Sequence, residues 1–546
     1  MGMVIASVVI SLIVLGGLYY YFSSQISEIP EIIKKPTQEK IVTLEEDDLS
    51  SQSPAASTQL PTPNSQPIDG EFSIPEKTRL LEKDTLVLLV EDSIHGGLLS
   101  EFAVYQDDVK RELGLTTIVK TFSSSASVFE VKAYIRQIYN SRQLNGVLLV
   151  GDIPTGKFYH PAGYYPKDNL PLYDYIYQDI YDACEYSNEW SAFDYSHTNC
   201  ESNQIPPFWV SRLSPNSSAK NTLALLKDYF KRNHEYRTQR YSYKQKMLAY
   251  TPTVLDISPE YREAQKTELK KGLKEFGVYD EGSFYVVDSE KENSDQIFLS
   301  ELRKPYQYEN FLFNGHGSTT FHQKNIYSSD ITDSNIFFGQ FISCSVGRFT
   351  TKDYIAGKYL FEGKSLIVAA APVIITGATA RTEANLNYAL STGVPFFEAI
   401  KIRPAGGSNF FGDLTLKMRY AKKPSTYVSN DPIIAFNTSS LYFTDNQEVE
   451  LKVKNVGKST LEVKPYPRYY KFKEEWLPQL GFYSEEYVET NEHGHYLLAP
   501  GTEAIWKIID PSSQGAPSGN YRGEFYILSN DPINPYIGIP FEAVVD

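Results

Sequence analysis

The chain has 546 residues, with 52 basic and 67 acidic side chains and a formal net charge of −15. Its length suggests about three or four domains. A hydrophobic content of 41% is enough to build cores, which excludes a wholly disordered chain. The acidic balance argues against a nucleic-acid-binding protein, because such proteins need clustered Lys and Arg. Three cysteines are too few for a disulfide-stapled scaffold.

The N-terminal segment, residues 1–23, is apolar and carries no charge over Met1–Phe22. A helix of this length spans the hydrocarbon core of a bilayer, about 30 Å. Tyr19, Tyr20 and Tyr21 would then lie at the headgroup level. The alternative is a cleaved signal peptide, although a basic start and a small-residue cleavage site are both missing. We therefore predict a single-pass membrane protein with an extracytoplasmic body, or a secreted protein if the segment is cleaved.

The next segment, residues 24–80, is rich in Pro, Ser, Thr, Gln and Glu. Such a composition buries too little apolar surface to offset the entropy of ordering the chain. We predict a disordered stalk.

From Thr85 onward, short apolar runs alternate with segments of helical spacing, over 128–140 and 260–277. Near-continuous apolar runs are typical of strands that are buried on both faces. The alternation predicts an α/β fold with a largely parallel sheet, divided into subdomains at 81–245 and 246–427. The runs expected to be strands are 85–92, 146–152, 246–252, 284–288, 310–317, 340–345 and 365–372.

The last segment, residues 428–546, alternates polar and apolar residues between turn signals. This pattern predicts an antiparallel β-sandwich. Its sequence SNDPINPYIGIPFEA, residues 529–543, resembles the last strands of immunoglobulin-like domains found on bacterial and archaeal surface proteins.

Two of the expected strands end in reactive side chains. His316 lies between two glycines in Asn-Gly-His-Gly-Ser, and Cys344 directly follows an apolar run, 28 residues later. Chemistry in such sheets gathers at the carboxyl ends of the strands. A thiol that attacks a carbonyl needs a nearby base, and histidine is the usual partner.

Each half of this pair has a simpler interpretation. A cysteine after an apolar run is most often a small buried hydrophobic residue, and Gly-His-Gly-Ser is more often a turn or a backbone anion site. The two together, on consecutive strands one crossover apart, are far more specific.

The motif Asn-Gly-His-Gly-Ser followed by Cys-x-x-Gly-x-Phe resembles that of the gingipain-type cysteine peptidases. These share a caspase-like fold with clostripain, legumain and caspases. The resemblance extends over about residues 85–420, with further matches at 147–152, 206–215, 365–379 and 385–418.

The resemblance implies specific roles. Cys344 would be the nucleophile that forms a thioester, and His316 would protonate the departing amine. The backbone N–H groups of Gly317 and Cys344 would face the oxyanion, and Asp256 is the candidate supporting acid. No cofactor would be required, although calcium can serve as a structural ion in the family. No acidic pocket residue aligns, so the residue preferred before the cleaved bond stays open.

The other two cysteines, Cys184 and Cys200, lie in a region rich in Tyr and Asp. Outside the cell they could pair with each other and leave Cys344 as a thiol. Two unpaired thiols in a surface loop are the alternative.

These observations predict a surface-tethered cysteine endopeptidase that acts on proteins or peptides. An inactive scaffold or adhesin is one alternative. A transpeptidase that resolves the same thioester with an amine is the other. An α/β-hydrolase is disfavoured, because no Gly-x-Ser-x-Gly elbow follows a strand.

Overall fold

The computed structural model describes most of residues 84–545, together with 67–68 and 72–73. The larger stretches outside the description are 160–166, 195–207, 239–244, 251–283 except 267, 374–389, 401–407, 420–429 and 510–517. The chain divides into two units, Met1–Thr62 and Pro63–Asp546. The first lies outside the described residues, so the fold is that of the second.

The described elements, numbered in chain order, are mainly strands. The strands are β1 (Pro67–Ile68), β2 (Phe72–Ser73), β3 (Thr85–Glu91), β4 (Thr116–Phe122), β5 (Leu144–Val150), β6 (Gly156–Tyr159), β7 (Leu172–Tyr173), β8 (Tyr186–Ser187), β9 (Ala192–Asp194), β10 (Trp209–Leu213), β11 (Gln245–Tyr250), β12 (Phe284–Val287), β13 (Tyr308–Asn314), β14 (Phe321–His322), β15 (Ile326–Tyr327), β16 (Phe338–Ile342), β17 (Ile367–Ala370), β18 (Asn409–Gly412), β19 (Ile434–Phe436), β20 (Leu441–Phe443), β21 (Val449–Asn455), β22 (Leu461–Tyr466), β23 (Tyr470–Phe472), β24 (Glu475–Leu477), β25 (Phe482–Ser484), β26 (Tyr496–Leu498), β27 (Glu503–Ile508), β28 (Gly519–Ser529) and β29 (Tyr536–Val545).

The α-helices are α1 (Asp92–His95), α2 (Leu99–Leu113), α3 (Val128–Ser141), α4 (Thr222–Thr238), α5 (Ser294–Leu302), α6 (Ile355–Gly357) and α7 (Phe396–Ala399). Short 3₁₀ turns cover Asp174–Gln178 and Ser328–Ile331, and one π-helical turn covers Lys358–Glu362. Each of the seven apolar runs predicted between residues 85 and 372 overlaps a strand.

The central element of the fold is one mostly parallel sheet. Among the described residues it has ten strands, in the order β12-β11-β13-β16-β17-β18-β10-β5-β3-β4. Its strands are buried on both faces, as in Leu86–Val90 and Val147–Val150, which is why they appear in the sequence as continuous apolar runs. Helix α3 covers one face with Val131 and Ile135.

Two side chains, those of Ser127 and Glu130, cap the N-terminus of α3. The Glu130 amide donates to Ser127 Oγ at 3.2 Å, and the Ser127 amide donates to the Glu130 carboxylate at 2.7 Å. This reciprocal pair is a capping box, which satisfies two amides that the helix leaves unbonded. It confirms the helix predicted over 128–140.

The fold class predicted from the sequence for residues 81–427, a caspase-like parallel-sheet region in two subdomains, is wrong. Strands from both predicted subdomains belong to one sheet, because β18 lies between β17 and β10. That strand is antiparallel to β17, so the sheet is mixed. Gly412 ends β18 at φ +97°, where a β-carbon would lie 1.9 Å from the Leu366 carbonyl oxygen. Glycine therefore permits this close antiparallel approach.

No helix among the described residues is both long and apolar enough to cross a bilayer. The predicted anchor at 1–23, like its signal-peptide alternative, falls outside the described part of the chain.

The two larger sheets of the C-terminal region share one core, and β23 and β24 form a separate two-stranded sheet. The strand orders of the two larger sheets are β1-β2-β19-β21-β27-β25 and β20-β29-β28-β22-β26. Strand β28 has two buried faces. Phe525 and Ile527 lie in the core between the two sheets, whereas Tyr526 and Leu528 join the core of the α/β region.

The predicted stalk over 24–80 is wrong at its C-terminal end. Strands β1 and β2 pair with each other, and β2 pairs with β19 of the first sheet. Phe72 is only 4% exposed, and Lys454 Nζ lies 4.8 Å from the centre of its ring. The Asp69-Gly70 pair between the two strands is a strong hairpin signal that the composition of the segment obscures.

Candidate active site

The two reactive side chains follow adjacent parallel strands at the same offset. Strands β13 and β16 pair in register, with Asn314 opposite Ile342, and the Gly315 amide donates to the Ile342 carbonyl at 3.1 Å. His316 and Cys344 each lie two residues beyond this last pair. Because neighbouring strands are about 4.8 Å apart, the register brings both residues to one place at the edge of the sheet.

The turn that carries His316 packs against the backbone that carries Cys344. A β-carbon on Gly317 would lie 2.1 Å from Ser343 Oγ and 2.8 Å from the Cys344 carbonyl oxygen. Only glycine fits so close to another segment. The contact brings Gly317 and Cys344 together, whereas the proposed oxyanion role of their backbone N–H groups stays a prediction.

The two side chains differ in exposure. His316 is exposed, and Cys344 is half-buried and not disulfide-bonded. An exposed imidazole and a partly covered thiol after two adjacent strands would be open to a substrate chain, as a nucleophile and its base must be.

The backbone just beyond Cys344 is held in an uncommon conformation. Ser345 has φ +58°, in the left-handed region that residues other than glycine seldom adopt. Its amide donates to the Val373 carbonyl, and the Gly347 amide donates to the Ala371 carbonyl, both at 2.8 Å. These bonds tie the segment to the end of β17. Strained backbone that surrounding contacts hold in place is common at functional sites.

Two polar groups beneath the site have no counterpart in the sequence-based prediction. Ser343 is 1% exposed, and within the described residues its hydroxyl has no hydrogen-bond partner. His322 is fully buried; its Nε2 lies 2.8 Å from the Tyr359 hydroxyl, and its ring centre lies 4.1 Å from that of Phe313. Burial lowers the pKa of His322 to about 3, so this histidine is neutral and belongs to the core.

Nothing in the sequence distinguishes His322 as a core residue, because it lies only six residues after His316 in a polar stretch. The burial of Ser343 and its close contact with Gly317 are equally invisible in the sequence.

The predicted supporting acid, Asp256, lies outside the described residues. On the neighbouring strand β11, the Tyr250 hydroxyl donates to Asp295 at 2.7 Å, and the Tyr250 ring stacks on Phe313 at 4.7 Å. Because the buried Asp295 carboxylate already accepts a hydrogen bond from Tyr250, we do not assign it as the supporting acid in place of Asp256.

Cys184 is buried and disulfide-bonded. Its predicted partner, Cys200, lies outside the described residues, so the pairing of these two residues stays a prediction.

The described part of the chain contains no cluster of three or more His, Cys, Asp or Glu residues that could hold a metal ion. The structural calcium that the family resemblance allows is therefore not assigned to any residues.

No protein-family model and no curated protein matches the chain. Among solved structures, a protein of unknown function from Porphyromonas gingivalis W83 matches with 16% identity over 26% of this chain and 60% of that one, at a TM-score of 0.17. The periplasmic chaperone SfaE matches with 14% identity over 21% and 57%, at 0.16. A PapD-like domain of human CEP192 matches with 12% identity over 23% and 92%, at 0.14. The chain spans less than two thirds of the first two proteins.

Proposed function

We propose that the protein is a cysteine-type endopeptidase that uses Cys344 and His316. The observation that carries this proposal is the shared register of β13 and β16, together with the contact of Gly317 against Ser343 and Cys344. A thiol and an imidazole at matched positions of adjacent strand ends are the parts that nucleophilic acyl transfer needs. The motif resemblance to gingipain-type peptidases adds support.

In the proposed reaction, the Cys344 thiolate attacks the peptide carbonyl carbon, and the carbonyl electrons move to oxygen. The C–N bond then breaks, and His316 gives its proton to the departing amine nitrogen. A thioester remains on Cys344. Water attacks the thioester carbon while His316 accepts a proton, and the C–S bond breaks. The carboxylic acid product leaves, and the Cys344 thiolate and protonated His316 are restored.

The disulfide at Cys184 supports a site of action outside the reducing cytosol, since disulfides persist mainly in oxidising compartments. Nucleic acid is not among the proposed partners, because the chain is strongly acidic.

The test is cleavage of a peptide library that contains every residue before the scissile bond, with products identified by mass spectrometry. We expect the wild-type chain to cleave and the Cys344→Ala and His316→Ala variants to be inactive. His95→Ala is the matched control, since His95 also precedes a glycine but ends α1, away from the candidate site. It should cleave at the wild-type rate.

Three outcomes would separate the proposal from its alternatives. Cleavage by Cys344→Ala would overturn the mechanism, and silence of the correctly folded wild type, with and without calcium, would favour the scaffold. A peptide amine added during the reaction tests the transpeptidase. Ligated product in place of hydrolysis would assign the thioester to that reaction.

A further inference from the structure

The loop after Cys344 is held by a residue from the other part of the sheet. Asn216, three residues after β10, donates its side-chain amide to the Phe349 carbonyl at 3.2 Å and to the Thr350 carbonyl at 3.1 Å. Its own carbonyl accepts a hydrogen bond from the Asp353 amide at 2.7 Å. One half-buried asparagine therefore makes three hydrogen bonds to the segment 349–353.

Neighbouring contacts strengthen this attachment. The Arg212 guanidinium on β10 lies 4.6 Å from the centre of the Phe349 ring, a cation–π distance. Arg212 is itself fixed by a bidentate pair with Asp174, at 2.8 and 2.7 Å. The Tyr354 hydroxyl donates to the Ser214 carbonyl at 3.1 Å. The loop rests on a rigid, buried support.

The same loop then contacts both reactive turns. The Ile355 amide donates to the Thr319 carbonyl at 2.8 Å, three residues after His316. The Ala356 amide donates to the Val346 carbonyl at 3.2 Å, two residues after Cys344. The segment 349–356 is thus bonded to Asn216 at one end and to the His316 and Cys344 turns at the other.

We infer that Asn216 is a positioning residue, which sets the distance and angle between His316 and Cys344 through the loop 349–356. The inference rests on the proposed function. It adds Asn216, which lies outside the His316 and Cys344 motifs, to the residues that control the rate. Because a displacement of about 1 Å can cost around 100-fold in rate, loss of the two side-chain hydrogen bonds of Asn216 should reduce turnover by about 10- to 100-fold. The Michaelis constant should change little, because Asn216 does not lie beside either reactive side chain in the chain or in the sheet.

The experiment measures how fast iodoacetamide alkylates Cys344 as a function of pH, by mass spectrometry of the peptide that contains it. Four full-length proteins are compared: wild type, His316→Ala, Asn216→Ala and the double variant. At pH 6, His316→Ala should slow alkylation by about tenfold or more, because a neighbouring imidazole would take up the thiol proton as the sulfur attacks. In the Asn216→Ala background, the same change should have almost no effect.

Asn335→Ala is the matched control. The Asn335 amide also donates to two carbonyls, those of Arg303 and Asp333, at 2.7 and 3.2 Å, but it precedes β16 whereas Cys344 follows that strand. This variant should keep the full effect of His316. Asn216→Asp, which keeps the size of the side chain but cannot donate to the carbonyls, should behave as Asn216→Ala and serves if the alanine variant does not fold.

The failures are distinguishable. If His316→Ala leaves the alkylation profile of the wild type unchanged, the pair itself does not exist, and both the proposed function and this inference are overturned. If His316 accelerates alkylation equally with and without the Asn216 amide, the pair stands and the positioning role of Asn216 is refuted.

Discussion

Gly317 and Ser343 approach so closely that a β-carbon on the glycine would lie 2.1 Å from the serine hydroxyl oxygen. The contact joins the turn that carries His316 to the strand end that carries Cys344. Gly317 directly follows His316, and Ser343 directly precedes Cys344. The contact therefore holds together the two backbone segments that carry the reactive residues.

Gly317→Ala should therefore separate the two turns. The added methyl group also meets the Cys344 carbonyl oxygen at 2.8 Å, and backbone cannot move aside cheaply. We expect peptide cleavage to fall by about 100-fold while the far-ultraviolet circular dichroism is kept. Gly96→Ala is the control, because Gly96 also follows a histidine but has nothing within 4 Å of an added β-carbon. Equal activity of the two variants would show that the contact does not matter.

The sheet and the pair at its edge could be predicted to different extents. Strands such as β5 and β13 are evident because burial on both faces requires a continuous apolar run, and the glycines around His316 indicate an exposed turn. The two apolar runs have similar lengths and both end in reactive residues, so the sequence suggests that β13 and β16 pair with their ends aligned. The exact pairing of residues, with Asn314 opposite Ile342, is known only from the structure.

Other features depend on contacts between distant parts of the chain. Strand β18 is only four residues long, and its place between β17 and β10 depends on Gly412 lying against Leu366. The Asn216 attachment joins residues more than 130 positions apart. Neither leaves a periodic pattern in the sequence, so the division into two subdomains was wrong and the support of the Cys344 loop was missed.

The buried His322 should make stability depend on pH. Burial lowers its folded-state pKa to about 3, whereas an unfolded chain has about 6.5. The unfolded state therefore takes up a proton first as the pH falls, and the stability supplied by neutral His322 is present above pH 6.5 and is lost as the pH falls toward 3. The total is on the order of 5 kcal/mol.

The measurement is urea unfolding between pH 4 and pH 7 for the wild type and for His322→Gln, which keeps a polar partner for Tyr359 but does not titrate. The difference between the two proteins cancels the other titrating groups. It should grow by about 1.4 kcal/mol for each unit of pH from 4 to 6. A difference that is independent of pH would mean that His322 is not buried in its neutral form.

The fully buried ion pair of Asp413 and Arg237 should contribute more to the free energy of unfolding than the exposed pair of Asp228 and Arg232. Helix α4 carries Arg237 and both residues of the exposed pair. The charged atoms of Asp413 and Arg237 lie 2.6 Å apart, with both side chains 0% exposed. Asp413→Asn removes the fully buried one of the two carboxylates that pair with Arg237, the other being Glu112, which should cost about 3 kcal/mol.

Asp228→Asn is the control for this comparison. Asp228 contacts Arg232 at 2.8 Å, but it is 55% exposed, so its loss should cost less than about 1 kcal/mol. Urea unfolding at pH 7 compares the two variants. A similar cost for both would contradict the burial argument.

The hairpin of β1 and β2 should make residues 67–73 part of the folded body. Deletion of residues 1–75 removes Phe72 from the first C-terminal sheet and should lower the free energy of unfolding by about 2 kcal/mol, the usual contribution of one buried aromatic side chain. Deletion of residues 1–62, at the unit boundary, should leave it unchanged. The midpoints of thermal unfolding of the two truncated proteins are compared. Identical midpoints would contradict the assignment of β1 and β2 to the folded body.

The most direct test of the central claim is covalent capture of the nucleophile. A set of peptidyl acyloxymethyl ketones, one for each residue at the position before the scissile bond, would be incubated with the full-length wild type and with His316→Ala, and the modified residue located by mass spectrometry. We predict modification of Cys344 by a subset of the peptides, strongly slowed in His316→Ala. Absence of modification in a wild type whose Cys344 still reacts with iodoacetamide, or equal modification of both proteins, would contradict the assignment of Cys344 and His316 as a catalytic pair.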